Sequence, residues 1–155
     1  MKRMPASAVA GVLAVALASV ASAAELKPED QIQYRQAGYS FMAWNMGKIK
    51  ANLQGDFDQG QVEAAANAIA AIANSGMGAL YGPGTDKDVG DVETAVKPEF
   101  FENMEEVGKV ARNFIAAANN MAEVAAGGDQ AAVEDAFGEL GQSCKSCHDK
   151  FRADD

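Results

Sequence analysis

Cysteine and histidine are scarce in this sequence, whose 155 residues include two cysteines, Cys144 and Cys147, and one histidine, His148. A structural zinc site normally takes four protein ligands, so these three argue against one. Alternating runs of β-branched residues are also absent, which argues against a sheet. Beyond the first 23 residues no apolar run approaches the length of a membrane span, so we expect a soluble mature protein.

The first 23 residues have the three parts of a secretory signal peptide. Lys2 and Arg3 make a positive start, Ala8 to Val20 is apolar, and residues 21–23 read Ala-Ser-Ala, a small-residue cleavage site. An uncleaved membrane anchor is the alternative, but the apolar run is short for an ordinary span. We therefore predict a cleaved leader over residues 1–23 and one domain over residues 24–155.

Negative charge dominates the remaining chain. Of the 13 basic residues, Lys2 and Arg3 belong to the predicted leader, so 11 basic residues face 22 acidic ones and the net charge is near −11. Such a surface repels phosphate backbones, which excludes nucleic acid as the expected partner. It favours solubility and suits docking with basic partner proteins.

Apolar residues recur at steps of three and four, the pattern of amphipathic helices. We predict four helices, from Pro28 to Leu53, Asp58 to Ala79, Pro98 to Gly127-Gly128, and Asp129 to the C-terminus. Turn residues between Tyr81 and Asp91 predict a long loop. Four helices with two short connections and one longer one favour an all-α fold, an antiparallel up-down-up-down four-helix bundle.

Each predicted helix has an inward-facing stripe. The stripes are Ile32, Arg35, Tyr39, Met42, Met46, Ile49 and Leu53; Val62, Ala65, Ile69 and Ile72; Phe101, Met104, Val107 or Gly108, Ala111, Phe114, Ala118, Met121 and Ala125; and Val133, Phe137, Leu140, Cys144, Cys147 and Phe151. They are rich in alanine and methionine, so a buried prosthetic group would supply the apolar volume they lack.

Both cysteines and the histidine fall within five residues, Cys144-Lys145-Ser146-Cys147-His148. This Cys-x-x-Cys-His pattern is the attachment signature of haem c. Thiols at positions i and i+3 project from one helix face, where they can add to the two vinyl groups on one porphyrin edge. His148 then lies beneath the ring and can bind the iron axially. The motif predicts one covalent haem c per chain.

Two other interpretations of the motif are weaker. A thioredoxin-like redox pair needs a βαβ setting, and no strands are predicted. A disulfide between Cys144 and Cys147 would close a very small loop and add little stability.

The motif does not determine which group lies on the axial face of the iron opposite His148. Met42 or Met46 on the first helix is one candidate ligand, and Tyr39, one turn earlier, is a candidate cover that does not bind iron.

A C-terminal Cys-Lys-Ser-Cys-His on the last helix of a four-helix bundle resembles cytochrome c′, the class II c-type cytochromes. Arg35 to Lys48, Tyr81 to Gly84, Lys97 to Phe100 and Ala136 to Gly141 also resemble that family, most closely its forms from purple photosynthetic bacteria. The resemblance implies thioethers from Cys144 and Cys147, a proximal His148 with Arg152 beside it, a distal Tyr39, and a propionate contacted by Arg35, Gln36 and Thr94. The position of Arg35 on an apolar stripe independently suggests a buried anion next to its guanidinium, because a buried charge needs a partner. The alternative is that the Arg35 side chain extends along the stripe and keeps its charged end in solvent.

These features predict a periplasmic mono-haem cytochrome with high-spin, five-coordinate iron that binds nitric oxide or carbon monoxide, transfers electrons to redox partner proteins, or both. A low-spin electron carrier with Met42 or Met46 as sixth ligand is the alternative. No free acid, base and nucleophile accompany His148, so we do not expect an enzyme. The resemblance implies a homodimer through the first helix, whose outer face carries Phe41, Trp44 and Lys48.

Overall fold

The computed structural model describes residues 26–153, and the predicted leader over residues 1–23 lies outside this range. Its helices are α1, Pro28–Gln54; α2, Gln59–Ala73; a 3₁₀ helix, Met77–Leu80; α3, Glu99–Glu102; α4, Met104–Gly127; and α5, Gln130–Phe151. Within residues 26–153 no strand is present, and two isolated bridges join Val89 to Val92 and Val96 to Arg152. The same range contains no helix with the length and apolarity needed to cross a membrane.

The four long helices form the predicted bundle. α1 packs on α2, α2 on α4 and α4 on α5, whereas α1 and α5 meet at only a few residues. Capping residues explain where several helices begin. Asp58 accepts a hydrogen bond from the Gln61 amide, and Asp129 accepts two from the amides of Ala131 and Ala132. The predicted fold class is therefore confirmed.

The second predicted helix ends six residues earlier than expected. α2 stops at Ala73, and Asn74 caps it through its side-chain amide, which donates to the Ala70 carbonyl. Gly76 then has a φ of 85°, in the left-handed region that favours glycine. The chain continues as the 3₁₀ helix and not as α-helix, because this backbone conformation breaks the α-helical path.

The third predicted helix is divided by Asn103, whose φ of −121° and ψ of 49° are not helical. The break resets the helical phase, so an inner stripe counted from Phe101 does not continue into α4. Met104 is 59% exposed and Ala111 is also exposed, and both inward assignments are wrong. Val110, 5% exposed, is the buried residue at this level of α4.

Two separate clusters of buried residues fill the bundle. The main cluster runs along all four long helices and comprises Met42, Ile49, Val62, Ala65, Ala66, Ile69, Ala73, Ala118, Met121, Ala125, Val133, Ala136 and Leu140. The aromatic cluster, at the end of the bundle that includes α3, comprises Phe100, Val110 and Phe151, with Tyr81, Val96, Phe101, Val107 and Cys147 packed against it. Cys147 therefore borders the aromatic cluster, which places the sequence motif at that end of the molecule.

Candidate haem site

The Cys-x-x-Cys-His motif lies in the last two turns of α5. Cys144 and Cys147 are both half-buried free thiols one turn apart, as the spacing predicts. Burial raises the pKa of each thiol, and the neighbouring Cys144 raises that of Cys147 further. His148 follows directly on the helix and is more exposed. The helix thus presents two neutral sulfurs and an imidazole side by side.

Arg152 lies one turn after His148. Its backbone amide donates to the His148 carbonyl at 3.0 Å. Burial lowers the pKa of His148, and the positive charge of Arg152 lowers it further, which places the guanidinium within electrostatic range of the imidazole. The segment before α3 is tied to the same turn, because the Lys97 amide donates to the Phe151 carbonyl at 2.8 Å. The structure therefore brings Arg152 and His148 together, as predicted.

Tyr39 of α1 faces this motif across the bundle. Its hydroxyl accepts a hydrogen bond from the Tyr81 hydroxyl at 3.0 Å. Burial raises the pKa of Tyr39, and the nearby thiols of Cys147 and Cys144 raise it further, while the hydrogen bond with Tyr81 lowers it. Tyr81 packs against the aromatic cluster that Cys147 also borders, so this hydrogen bond brings the Tyr39 hydroxyl close to the motif. The residue as a whole is 40% exposed.

Arg35, one turn before Tyr39, is 2% exposed. Its guanidinium donates to the carbonyls of Leu80 at 3.0 Å and Thr85 at 2.9 Å, and to the Thr94 hydroxyl at 2.6 Å. Burial lowers its pKa, whereas Tyr81 and Tyr39 act in the opposite direction. These three acceptors are neutral oxygens, so no carboxylate among residues 26–153 pairs with the buried cation. The predicted inward position of Arg35 is confirmed.

The other two residues predicted near a propionate lie at the same place. Thr94 contacts Arg35 directly, and the Gln36 side-chain amide donates to the Glu93 carbonyl at 2.8 Å. Thr94 is itself held by its backbone amide, which donates to an Asp88 carboxylate oxygen at 2.8 Å. Residues distant in the sequence therefore meet around the guanidinium.

Met42 and Met46 belong to the packing of the main cluster and not to that of the aromatic cluster. Met42 is 5% exposed within the main cluster, and Met46 packs against that same cluster. The thiol of Cys147, in contrast, borders the separate aromatic cluster. The two methionines are thus part of the packing of the bundle.

Tyr81 has a role in this region that the sequence did not predict. Its ring stacks on Phe100 with centroids 4.4 Å apart, and the Arg35 guanidinium lies 4.6 Å from the ring centroid. Gln31 was missed as well; its side chain accepts from the Gly82 amide at 2.9 Å. A Cβ on Gly82 would lie 2.7 Å from the same Gln31 oxygen, so a larger residue there would force the Gln31 side chain to shift. The Tyr-Gly-Pro-Gly sequence indicated a turn, but no local signal showed which helix it would contact.

The residues of this region fit a haem c group chemically. Two neutral thiols one turn apart match the two vinyl groups of one porphyrin edge, and the adjacent imidazole is an iron ligand. The aromatic cluster beside Cys147 offers an apolar surface for the ring. A buried guanidinium, held by neutral acceptors, offers a counter-charge for a carboxylate.

The comparisons with known proteins identify the family. A family model described as Cytochrome C' matches residues 30–152. The cytochrome c′ of Allochromatium vinosum is 69% identical over 153 residues, which cover 99% of each chain. The chain belongs to the cytochrome c′ family. The predicted family and the covalent haem c cofactor are thereby confirmed, and members of the family are electron-transfer and gas-binding haem proteins, not enzymes.

Solved cytochrome c′ structures share this fold. An atomic structure of a cytochrome c′ with an unusual ligand-controlled dimer dissociation has a TM-score of 0.83 and 71% identity, covering 83% of this chain and 98% of that one. A nitric oxide complex of a variant of cytochrome c prime from Alcaligenes xylosoxidans has a TM-score of 0.72 and 28% identity, with the same coverage. A carbon monoxide complex of another variant of that protein has a TM-score of 0.73, 28% identity and the same coverage.

Proposed function

We propose that the mature chain, residues 24–155, is a periplasmic mono-haem cytochrome c′ with high-spin, five-coordinate iron that binds nitric oxide or carbon monoxide. The observation that carries this proposal is the 3.0 Å hydrogen bond between the hydroxyls of Tyr39 and Tyr81, because Tyr81 packs against the same aromatic cluster that Cys147 borders. His148, the one histidine of the sequence, is adjacent to Cys147 and is the proximal iron ligand. Tyr39 covers the opposite face of the iron without binding it.

The location of the methionines supports this open coordination site. Met42 and Met46 belong to the packing of the main cluster, whereas Cys147 borders the aromatic cluster. Ligation of iron by either methionine would require it to leave that packing, which costs the burial of a large apolar side chain. The low-spin alternative therefore carries an energetic cost that the Tyr39 arrangement avoids.

Each predicted site residue has a role in this proposal. Cys144 and Cys147 form thioethers by adding their S–H groups across the vinyl double bonds, and Arg152 tunes His148 electrostatically. When bound, haem supplies an iron that takes diatomic ligands and changes oxidation state. Arg35 makes three hydrogen bonds through a group with five N–H donors, so it retains capacity for a propionate oxygen. Gln36 and Thr94 lie beside it and complete that contact.

Two further parts of the proposal concern partners. The complexes of the Alcaligenes xylosoxidans protein support nitric oxide and carbon monoxide as ligands. The acidic surface favours basic redox partner proteins, to which electrons would be passed. The outer face of α1 carries Phe41, 50% exposed, and Trp44, 58% exposed, which stack with centroids 5.4 Å apart. We assign a homodimer to this face; the ligand-controlled dimer dissociation of the 71% identical protein supports it and suggests that ligand binding weakens the dimer.

Absorption spectra test the coordination of the iron. Protein purified from cells able to attach haem c is measured oxidised, reduced, and reduced with carbon monoxide. We expect high-spin spectra and a large shift with carbon monoxide. A low-spin, six-coordinate ferrous spectrum that does not respond to the gas would establish the methionine-ligated carrier instead.

Two protein-chemical measurements test attachment and export. Cys144→Ala with Cys147→Ala should yield a polypeptide that loses all pigment on denaturation in acidified organic solvent, whereas the unmodified chain stays coloured. Sequencing of the purified periplasmic protein should begin at Ala24. Pigment that stays bound to the double variant would contradict the thioether assignment.

A further inference from the structure

Tyr81 is held more firmly than the tyrosine it contacts. Phe100, which stacks on its ring, is 6% exposed and packs edge-on against Phe151 with centroids 5.6 Å apart. Arg35, which lies over the ring, is fixed by three hydrogen bonds to the surrounding loop. Burial raises the pKa of Tyr81 well above its usual value, so its hydroxyl keeps its proton and remains a donor. Tyr39, in contrast, keeps 40% of its surface exposed.

One face of α1 carries the bonds that attach this loop. Gln31, Arg35 and Tyr39 follow one another at four-residue steps and so lie on one side of the helix. They contact, in turn, the Gly82 amide, the carbonyls of Leu80 and Thr85, and the Tyr81 hydroxyl. The hydrogen bonds of Gln31 and Arg35 are buried or half-buried, and the one between Tyr39 and Tyr81 is exposed. The bond between the tyrosines is therefore the one of this series that can break without disturbing buried groups.

We propose that Tyr81 is a positioning residue for gas binding, because its hydroxyl holds the Tyr39 ring in the position that guards the iron. This inference rests on the proposed function, in which Tyr39 covers the open axial site. A diatomic ligand must displace Tyr39 to reach the iron. This displacement breaks the hydrogen bond to Tyr81. The free-energy cost of ligand binding therefore depends on the loop after α2, which carries Tyr81, as well as on α1.

Removing the Tyr81 hydroxyl should make displacement easier. A neutral hydrogen bond contributes a net amount that corresponds to about a twofold to tenfold change in an equilibrium constant. Tyr81→Phe keeps the stacked ring and should raise the carbon monoxide affinity of the ferrous protein by about that factor. Tyr39→Phe, the reciprocal variant, leaves the packing of Tyr81 untouched and should act in the same direction, because the same bond is lost.

A double-mutant cycle provides the test. Tyr81→Phe, Tyr39→Phe and the double variant are prepared as haem-loaded proteins, with Tyr34→Phe as a matched control. Tyr34 lies on the same helix and is 56% exposed. Carbon monoxide affinity and urea unfolding without gas are measured for all. We expect the two hydroxyls to be coupled in both measurements. The change in carbon monoxide affinity or in unfolding free energy caused by the double substitution should be smaller than the sum of the changes caused by the two single substitutions. Tyr34→Phe should match the unmodified protein.

Tyr39→Ala separates the two proposals. If this variant binds carbon monoxide no more tightly than the unmodified protein, then Tyr39 is not the guard, and the proposed function and the inference fail together. If Tyr39→Ala binds the gas more tightly but Tyr81→Phe does not, the guard is real and only the inference about Tyr81 is overturned. Strictly additive effects of the two phenylalanine substitutions on unfolding would overturn it as well, because they would show that no bond joins the hydroxyls in solution.

Discussion

Among residues 26–153, Thr94 supplies the side-chain hydroxyl that accepts a hydrogen bond from the buried Arg35. Its oxygen lies 2.6 Å from the Arg35 guanidinium, which is 2% exposed. We predict that Thr94→Val destabilises the protein by about 1–3 kcal/mol, because a buried donor loses its acceptor. Thr94→Ser, which keeps the oxygen, is the matched control and should lose much less. Urea unfolding of the haem-loaded variants measures the difference, and equal losses in both would contradict the role of the hydroxyl.

The Asp58 carboxylate makes stability depend on pH. Hydrogen bonds from the backbone and side chain of Gln61 hold its pKa below the usual value of 3.8. A group whose pKa is lower in the folded state stabilises that state above its unfolded pKa, and the contribution disappears as the pH falls through the folded value. We predict that Asp58→Ala is less stable than the unmodified protein at pH 7 and that the gap closes below about pH 4. Unfolding followed at several pH values checks this, and a gap that does not change with pH would count against it.

α5 holds two half-buried thiols and an imidazole because a regular helix carries them at fixed angles. Asp129 begins this helix, and its end is tied to residues 95–97 by two backbone hydrogen bonds of 2.8 Å. The motif is therefore positioned along its own helix by local geometry, and the C-terminal end of that helix is attached to the segment before α3.

The end of α2 depends on one glycine. Gly76 has a φ of 85°, and a Cβ there would meet no atom within 4 Å. Gly76→Ala should therefore destabilise the protein by about 1–2 kcal/mol through backbone strain alone. Gly138→Ala is the matched control, because a Cβ there also meets nothing within 4 Å but the residue is helical within α5. This control should gain about 0.4–1 kcal/mol. Thermal unfolding compares the two, and a loss of the same size in both would show that φ is not the cause.

At the scale of the whole molecule, the exposed aromatic face of α1 makes a prediction about assembly. Trp44 is 58% exposed, and the Lys48 ammonium lies 5.0 Å from its ring centroid. We expect Trp44→Glu to weaken the proposed dimer at least about tenfold, because aromatic residues contribute strongly to interfaces and a new carboxylate would be buried there. Sedimentation equilibrium measures the dissociation constant.

Met104→Glu is the control for this experiment. Met104 is 59% exposed on α4, so the substitution adds the same charge at an equally exposed apolar position away from α1. It should leave the dissociation constant nearly unchanged. If both substitutions weakened the dimer equally, the cause would be the added negative charge, and the assignment of the interface to α1 would be wrong.

Local features of this protein could be predicted from its sequence. The spacing of Cys144, Cys147 and His148 indicated haem c attachment, and the predicted helix starts at Asp58 and Asp129 coincide with the N-caps of α2 and α5, because such signals act within about one turn. The break at Asn103 was missed, since no proline or glycine marks it. The inward positions of Met104 and Ala111 were then misassigned.

Contacts between distant residues depended on how the helices pack. Tyr81 reaches Tyr39 across 42 residues, and Arg35 finds acceptors 45 to 59 residues away. The assignment of Met42 to the main cluster and of Cys147 to the aromatic cluster has the same origin. Helical periodicity predicts which face of a helix is apolar, but it does not predict the axial offset at which that face packs against a neighbouring helix. That offset is set by the fit of side chains from all the helices together, and it brings the Tyr81 loop to the face of α1 that carries Tyr39.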